Sequence, residues 1–181
     1  MIVHNKIKSG PLYLKTLRIS CASIKYLTWM NDPELVKYLD ARFNPPKNLK
    51  DIKNFISECV KSSDKLLMGI FLEKNQRHIG NTKLGSININ QKNADVGFFI
   101  GDVKERGKGY ATKAIDLLCN YAFNIIGLKK ITAGTYAENI ASQKALLNAG
   151  FVQEGVLRSH LSWNGKRQDG YIFGRVVSEH E

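Results

Sequence analysis

Arg106-Gly107-Lys108-Gly109-Tyr110-Ala111-Thr112 stands just behind the apolar run Ala94-Asp95-Val96-Gly97-Phe98-Phe99-Ile100 and just ahead of a stretch with helical periodicity. The apolar run is β-branched and aromatic enough to predict a strand. After the glycines, Tyr110, Ala114, Leu117, Leu118, Tyr121, Ala122 and Ile125 recur at helical spacing, while Lys113, Asp116, Asn120 and Asn124 take the opposite face. A glycine-rich turn that enters a helix presents unpaired backbone N–H groups at the positive end of the helix dipole. It therefore predicts a site for a phosphate or pyrophosphate. Lys104, Arg106 and Lys108 add positive charge beside it.

The spacing narrows the ligand. A Walker loop ends in Gly-Lys-Ser/Thr, and Gly107-Lys108-Gly109-Tyr110 does not. A dinucleotide fingerprint needs Gly-x-Gly-x-x-Gly and an acid about 20 residues on. Here Thr112 replaces the third glycine, and Lys129 and Lys130 occupy the downstream region. The turn instead reads Arg-x-x-Gly-x-Ala from Arg106 to Ala111, which resembles the pyrophosphate-binding motif of the GNAT family of N-acetyltransferases, enzymes that bind acetyl-CoA. A plain glycine loop ahead of a core helix is the alternative.

The second half of the chain supports the resemblance. Residues 129–136 (KKITAGTY) read as a strand, followed by Asn139 as an N-cap, Ser142 three residues on, and Gly150 as a helix stop. Asn-x-x-Ser on a short helix ending in Gly-Phe resembles the second cofactor-binding segment of the same family. Glu154-Gly155-Val156-Leu157-Arg158, Asn164-Gly165-Lys166, Trp29-Met30-Asn31-Asp32-Pro33-Glu34 and Ile79-Gly80-Asn81 resemble the ribosomal-protein-alanine N-acetyltransferase subgroup (RimJ/RimL-like). The resemblance runs over residues 12–176. It implies a mixed α/β fold, one domain over residues 1–181 with its core at 12–177, and a central, mostly antiparallel, splayed sheet flanked by helices.

The pattern along the chain agrees. Strands are expected at 12–19, 66–73, 78–89, 94–100 and 129–136, with helices at 23–39, 49–62, 110–125 and 139–149. Residues 151–157 restart an extended run. Asn164-Gly165 is a hairpin signal joining extended runs at 156–163 and 168–177. Gly80 and Gly85 mark bulges or a close backbone approach.

Composition fits one cytoplasmic enzyme domain. At 181 residues the chain suffices for one core and is short for two. No segment approaches the ~20 apolar residues of a membrane span, and residues 1–10 lack the apolar run of a signal peptide. Cys21, Cys59 and Cys119 are widely spaced and form no Cys-x-x-Cys, which points to reduced thiols and away from a metal site or disulfides. The net charge of +11 suits anionic ligands. The basic residues are nevertheless spread along the chain, without the aromatic interleaving of a dedicated nucleic-acid binder. A homodimer is compatible with these features.

The resemblance implies direct transfer from acetyl-CoA, the cosubstrate, to an amine, with no metal. The implied cofactor contacts are Phe99 and Ile100, through backbone N–H groups that also steady the oxyanion, then Arg106, Gly107, Lys108, Gly109, Tyr110, Ala111, Thr112, Asn139 and Ser142. Strand alternation puts Asp95 on one face with Gly97 and Phe99, making it the candidate base, working through water; an ordinary strand-start residue is the alternative. The family's usual acidic tyrosine maps to Leu146, so that role passes to Ser142 or, less directly, Tyr136, or to solvent. His160 is a further base candidate. Asn139 suits a pantetheine amide as well as helix capping.

The acceptor cleft is expected among residues 29–42, 66–89 and 156–168, with Trp29, Tyr38, Arg42, Phe43 and Trp163 as candidate lining. The segment 29–34 followed by 38–43 resembles the polysaccharide-associated members, which implies a nucleotide-linked amino sugar of surface polysaccharide synthesis as acceptor, and the basic charge suits it. A protein N-terminus is the alternative acceptor. A non-catalytic acyl-CoA-binding protein is the alternative from outside catalysis, kept open by Leu146.

Overall fold

Alternating burial along the strands sorts the side chains onto the two faces of one sheet. The computed structural model describes residues 3, 5–163 and 165–177. The chain runs β1 (Ile7–Ser9), β2 (Leu12–Thr16), α1 (Ile24–Met30), α2 (Pro33–Val36), α3 (Leu49–Lys61), β3 (Leu66–Leu72), β4 (His78–Asn88), β5 (Asn93–Ile100), α4 (Tyr110–Tyr121), β6 (Lys130–Tyr136), α5 (Ile140–Asn148), β7 (Val152–Trp163) and β8 (Lys166–Val176). The eight strands form one sheet in the order β1-β2-β3-β4-β5-β6-β8-β7. All neighbours are antiparallel except β5 and β6.

Each face carries its own core. Leu12, Leu14, Leu66, Met68 and Ile70 pack with Ala114, Ile115, Leu118 and Leu146 of α4 and α5. On the other face Tyr13, Leu17, Leu67 and Phe71 pack with Tyr26 and Trp29 of α1 and Ile52, Ile56 and Cys59 of α3. β3 is therefore buried at every position, which is why its sequence reads as a continuous apolar run.

Several boundaries differ from the sequence expectation, each for a local reason. The single helix expected over 23–39 is broken, because Pro33 lacks an N–H and starts a new helix at N1 with Asp32 as its side-chain cap. The strand expected over 12–19 ends at Thr16 and gives way to a 3-10 turn, Ile19–Cys21. The edge strand β1 escaped prediction because its three residues are too few and too polar to show a pattern. The runs at 151–157 and 156–163 are one strand, β7, with register irregularities between Gln153 and Gly155 and between Leu157 and Leu161. Asn164 lies outside the described residues. The periodic helix stops at Tyr121 and continues as a π turn, Ala122–Ile126, closed by Gly127 at φ 81°. That wider turn brings Ile126 to the core and leaves Ile125 69% exposed, the reverse of the face that α-helical spacing assigns it.

Gly80 is a close-approach position. A Cβ there would collide with the backbone carbonyl oxygen of Phe99 across the β4–β5 ladder. Gly80→Ala should lower stability by about 2–4 kcal/mol, read as a reduced urea midpoint at unchanged m.

His78 sits against Phe71, Trp29 and Tyr26, and burial pushes its pKa below the usual value. The unfolded chain therefore takes up this proton first as pH falls. Stability contributed by the neutral ring should be lost progressively below about pH 6.5. A urea series between pH 7.5 and 5 should show a drop that His78→Gln makes smaller.

Candidate active site

The sheet opens at its one parallel junction. β5 and β6 pair only at Asn93–Lys130, Ala94–Ile131 and Asp95–Thr132. Beyond that point β5 keeps β4 and β6 keeps β8, and the two strands part. Gly101 N–H donates to Ile79 O, so antiparallel alternation aims the Phe99 N–H at β4 and the N–H groups of Phe98 and Ile100 into the gap. Of the expected backbone pair, Ile100 faces the gap and Phe99 does not. Phe98 joins it, a residue that strand alternation alone could have selected once the partner strands were known.

The glycine turn lies at the open end of the gap. Gly107 and Gly109 have φ of 74° and 77°, left-handed values that favour glycine, and a Cβ at either would meet nothing within 4 Å. Gly109 is the N-cap of α4 and supplies no side chain to the first-turn N–H groups, which leaves them free for an anion. Tyr110, Ala111 and Thr112 form that first turn, all half-buried.

The cationic side chains of the turn are engaged in holding it. Arg106 Nε donates to Ile100 O at 3.0 Å, and its guanidinium lies 3.6 Å from Asp32. Lys108 Nζ is 2.8 Å from Glu105, a buried carboxylate that Arg77 also contacts. Much of the charge of Arg106 and Lys108 is thus met within the protein, and Lys104 remains exposed. Asn139 caps α5 by accepting from Ser142 N–H at 3.2 Å, and Ser142 is half-buried in the first turn. Leu146 is fully buried in the core. β5 leads through a 3-10 turn and the glycine turn into α4, and β6 leads into α5, so each parted strand feeds one of the two helices.

On the α1–α3 side the gap continues into a cavity of about 970 Å³. It is lined by Gly97–Phe99 of β5, Gly134–Tyr136 of β6, Tyr26, Asn81, Phe55 and the β7–β8 residues His160 and Tyr171. The cavity carries charges of both signs, from Asp40, Asp51 and Glu58 on one hand and Lys47 and Lys83 on the other. Tyr38 lines it as expected, whereas Trp29 is core and Phe43 is 70% exposed. Arg42 and Trp163 line a smaller side pocket of about 260 Å³. Arg42 binds the Tyr136 hydroxyl and Ser162 O, tying the α2 side of the cleft to the tip of β7. This clasp had no sequence signal, since its partners lie 94 and 120 residues away.

Asp95 stands at the vertex of the gap, outside the cavity lining. It is exposed, and its Oδ1 accepts from Thr132 Oγ1 at 2.6 Å. Asn139 and Ser142 likewise lie beyond the cavity lining. The thiols of Cys59 and Cys119 are buried and that of Cys21 is half-buried, none of them in a disulfide. Burial pushes Cys119 up to about 12. Among the described residues no group of three His, Cys, Asp or Glu could hold a metal, and no helix is long and apolar enough to cross a membrane.

Parted strands with a glycine turn at a helix start form a cleft suited to a linear ligand that carries a phosphate at one end. The family model for the acetyltransferase (GNAT) domain matches residues 12–152, and the chain belongs to that family of acyltransferases. A probable N-acetyltransferase of Bacillus subtilis (strain 168), YjcK, is 34% identical over 125 residues, 68% of each chain. Among solved structures, spermidine N-acetyltransferase from Vibrio cholerae, in complex with CoA and spermine, superposes with a TM-score of 0.83 at 22% identity, covering 94% of this chain and 98% of that one. RimL, a ribosomal L7/L12 alpha-N-protein acetyltransferase in complex with coenzyme A, gives 0.85 at 17% identity, covering 96% and 98%.

The free first-turn N–H groups and the open space at Gly107 and Gly109 fit the pyrophosphate of acetyl-CoA. Gly109→Glu should abolish acetyl-CoA binding in calorimetry while circular dichroism stays unchanged, whereas Lys104→Ala should weaken it only a fewfold.

Proposed function

We propose that the protein transfers acetyl from acetyl-CoA to the primary amine of a small, polar acceptor, of which a nucleotide-linked amino sugar is the best match. The observation that carries this reading is the mixed charge of the cleft. Three carboxylates, Asp40, Asp51 and Glu58, suit an ammonium group, and Lys47 and Lys83 suit an anionic group attached to it. A polyamine, cationic throughout, would meet both lysines as well. The cavity of about 970 Å³ lies within the usual range for small-molecule sites.

In this reading the first-turn N–H groups of α4 hold the pyrophosphate, with Gly107 and Gly109 allowing close approach. The Asn139 side chain, while capping α5, also binds the pantetheine arm. Acetyl-CoA supplies the acyl group activated as a thioester. The N–H groups of Ile100 and Phe98 stabilise the carbonyl oxygen as negative charge develops there. Asp95, at the vertex of the gap, removes the amine proton through water, with Thr132 orienting the carboxylate. Ser142 donates a proton to the leaving thiolate, the role that Leu146 cannot fill. His160 lines the cleft and is the competing base.

The test is turnover of acetyl-CoA with a UDP-linked amino sugar, spermidine and an alanine-started peptide. The amino sugar should be fastest. Asp95→Asn should lower kcat by about 10²–10⁴-fold, Ser142→Ala should lower it less, and His160→Gln should leave it near the parent value. A full rate in Asp95→Asn with loss in His160→Gln would transfer the base role to His160. Acetyl-CoA binding with no turnover of any amine would favour a non-catalytic acyl-CoA-binding protein.

A further inference from the structure

The floor of the cleft holds a polar group that the transfer chemistry does not use. Asn81 lies on β4 opposite Phe99, is 2% exposed, and lines the cavity beside Tyr26 and Leu67. Its Nδ2 makes no hydrogen bond to the protein. The Tyr26 hydroxyl is a side-chain hydrogen-bonding neighbour of the amide, but not at a geometry that satisfies Nδ2. Burial keeps that phenol protonated.

The orientation of the amide follows from its other neighbour. His78 Nε2 lies 3.0 Å from Gly80 O and 2.7 Å from Asn81 Oδ1. A backbone carbonyl can only accept, so Nε2 carries the hydrogen. An N–H can face only an acceptor, so Oδ1 is the end that faces His78. The NH₂ end is then turned away from His78, in a residue that lines the cleft. A buried donor without a partner is unfavourable to the free protein, and a ligand that offers an acceptor atom relieves it.

We propose that the Asn81 side-chain NH₂ is a specificity determinant that donates a hydrogen bond to an oxygen of the acceptor molecule. The inference rests on the cleft being the acceptor site, and it narrows the acceptor to amines that also carry a hydroxyl or carbonyl oxygen. Amino sugars and peptide N-termini meet that condition. A fully protonated polyamine offers N–H donors alone and leaves the amide unmet. His78 is the positioning residue that fixes which end of the amide is presented.

Two matched amines test this, 2-aminocyclohexanol and cyclohexylamine, which differ by one hydroxyl, together with the UDP-linked amino sugar. In the coenzyme A complex, the Asn81 side-chain ¹H–¹⁵N resonances, assigned by their loss in Asn81→Ala, should shift with aminocyclohexanol and stay in place with cyclohexylamine. Where the amines are acetylated, the parent should prefer the oxygen-bearing one by about ten- to a hundredfold in kcat/KM, mainly through KM. Asn81→Ala should erase that preference with acetyl-CoA affinity unchanged. His78→Phe should weaken it while leaving the fold intact by circular dichroism. An amide shift without turnover of any amine would sink the catalytic reading and leave standing only the hydrogen bond from Asn81 to an oxygen-bearing amine. Amine turnover with no shift and the same preference in Asn81→Ala would overturn the inference and leave the catalytic reading standing. Spermidine turned over faster than every oxygen-bearing amine would overturn the inference too.

Discussion

The rest of the structure depends on two neighbouring strands that stop pairing. After Asp95 and Thr132, β5 and β6 each present a row of backbone groups that the ladder no longer satisfies. Such groups are costly when left unmet away from water. The chain deals with the two ends of the opening differently. At the vertex, Thr132 Oγ1 donates to Asp95. At the far end, Arg106 Nε reaches back to Ile100 O. Between them the edges stay free, and a linear ligand carrying amide groups can complete them as a strand would. The loop into α4 and the start of α5 follow from where β5 and β6 end.

A chain with net charge +11 has cations enough to bind an anion through them. Here the cations nearest the glycine turn are engaged with Asp32 and the buried Glu105, and what the turn offers an anion is oriented backbone dipoles. Glu105 in turn holds Arg77 and Lys108 together, so the turn is braced before any ligand arrives. Bulk charge and local site are separate matters, as the cleft also shows with its three carboxylates among lysines.

The features legible in sequence were those that short-range chemistry dictates. The glycine turn, the α4 face through Leu118, the Asn139 cap and the Gly150 stop (φ 80°) each depend on a few adjacent residues. Pro33 was equally local, and its break in the helix could have been read from the missing N–H. What stayed hidden depends on partners far along the chain. The direction of the Phe98 and Ile100 N–H groups needs the β4 register. The Arg42 clasp needs Tyr136 and Ser162. The Asn81 amide orientation needs His78 and the carbonyl of Gly80. None of these leaves a pattern in spacing or composition, because the geometry exists only once strands pair.

The π turn at Ala122–Ile126 fixes the length of its segment to the residue. A five-residue backbone ring is one residue longer than the α turn it replaces, so the turn behaves as a single-residue insertion absorbed into the helix. Deleting one residue there would let the helix run on as α and bring Ile125 inward in place of Ile126. It would also pull Gly127 out of its left-handed closing position. β6 begins only three residues after that glycine, and a slip of one residue in a strand exchanges its two faces. Ile131 and Ala133 would then leave the core, and the gap-lining residues of β6 would change places with them. The segment joining α4 to β6 is therefore a ruler, and it tolerates substitution more readily than any change of length.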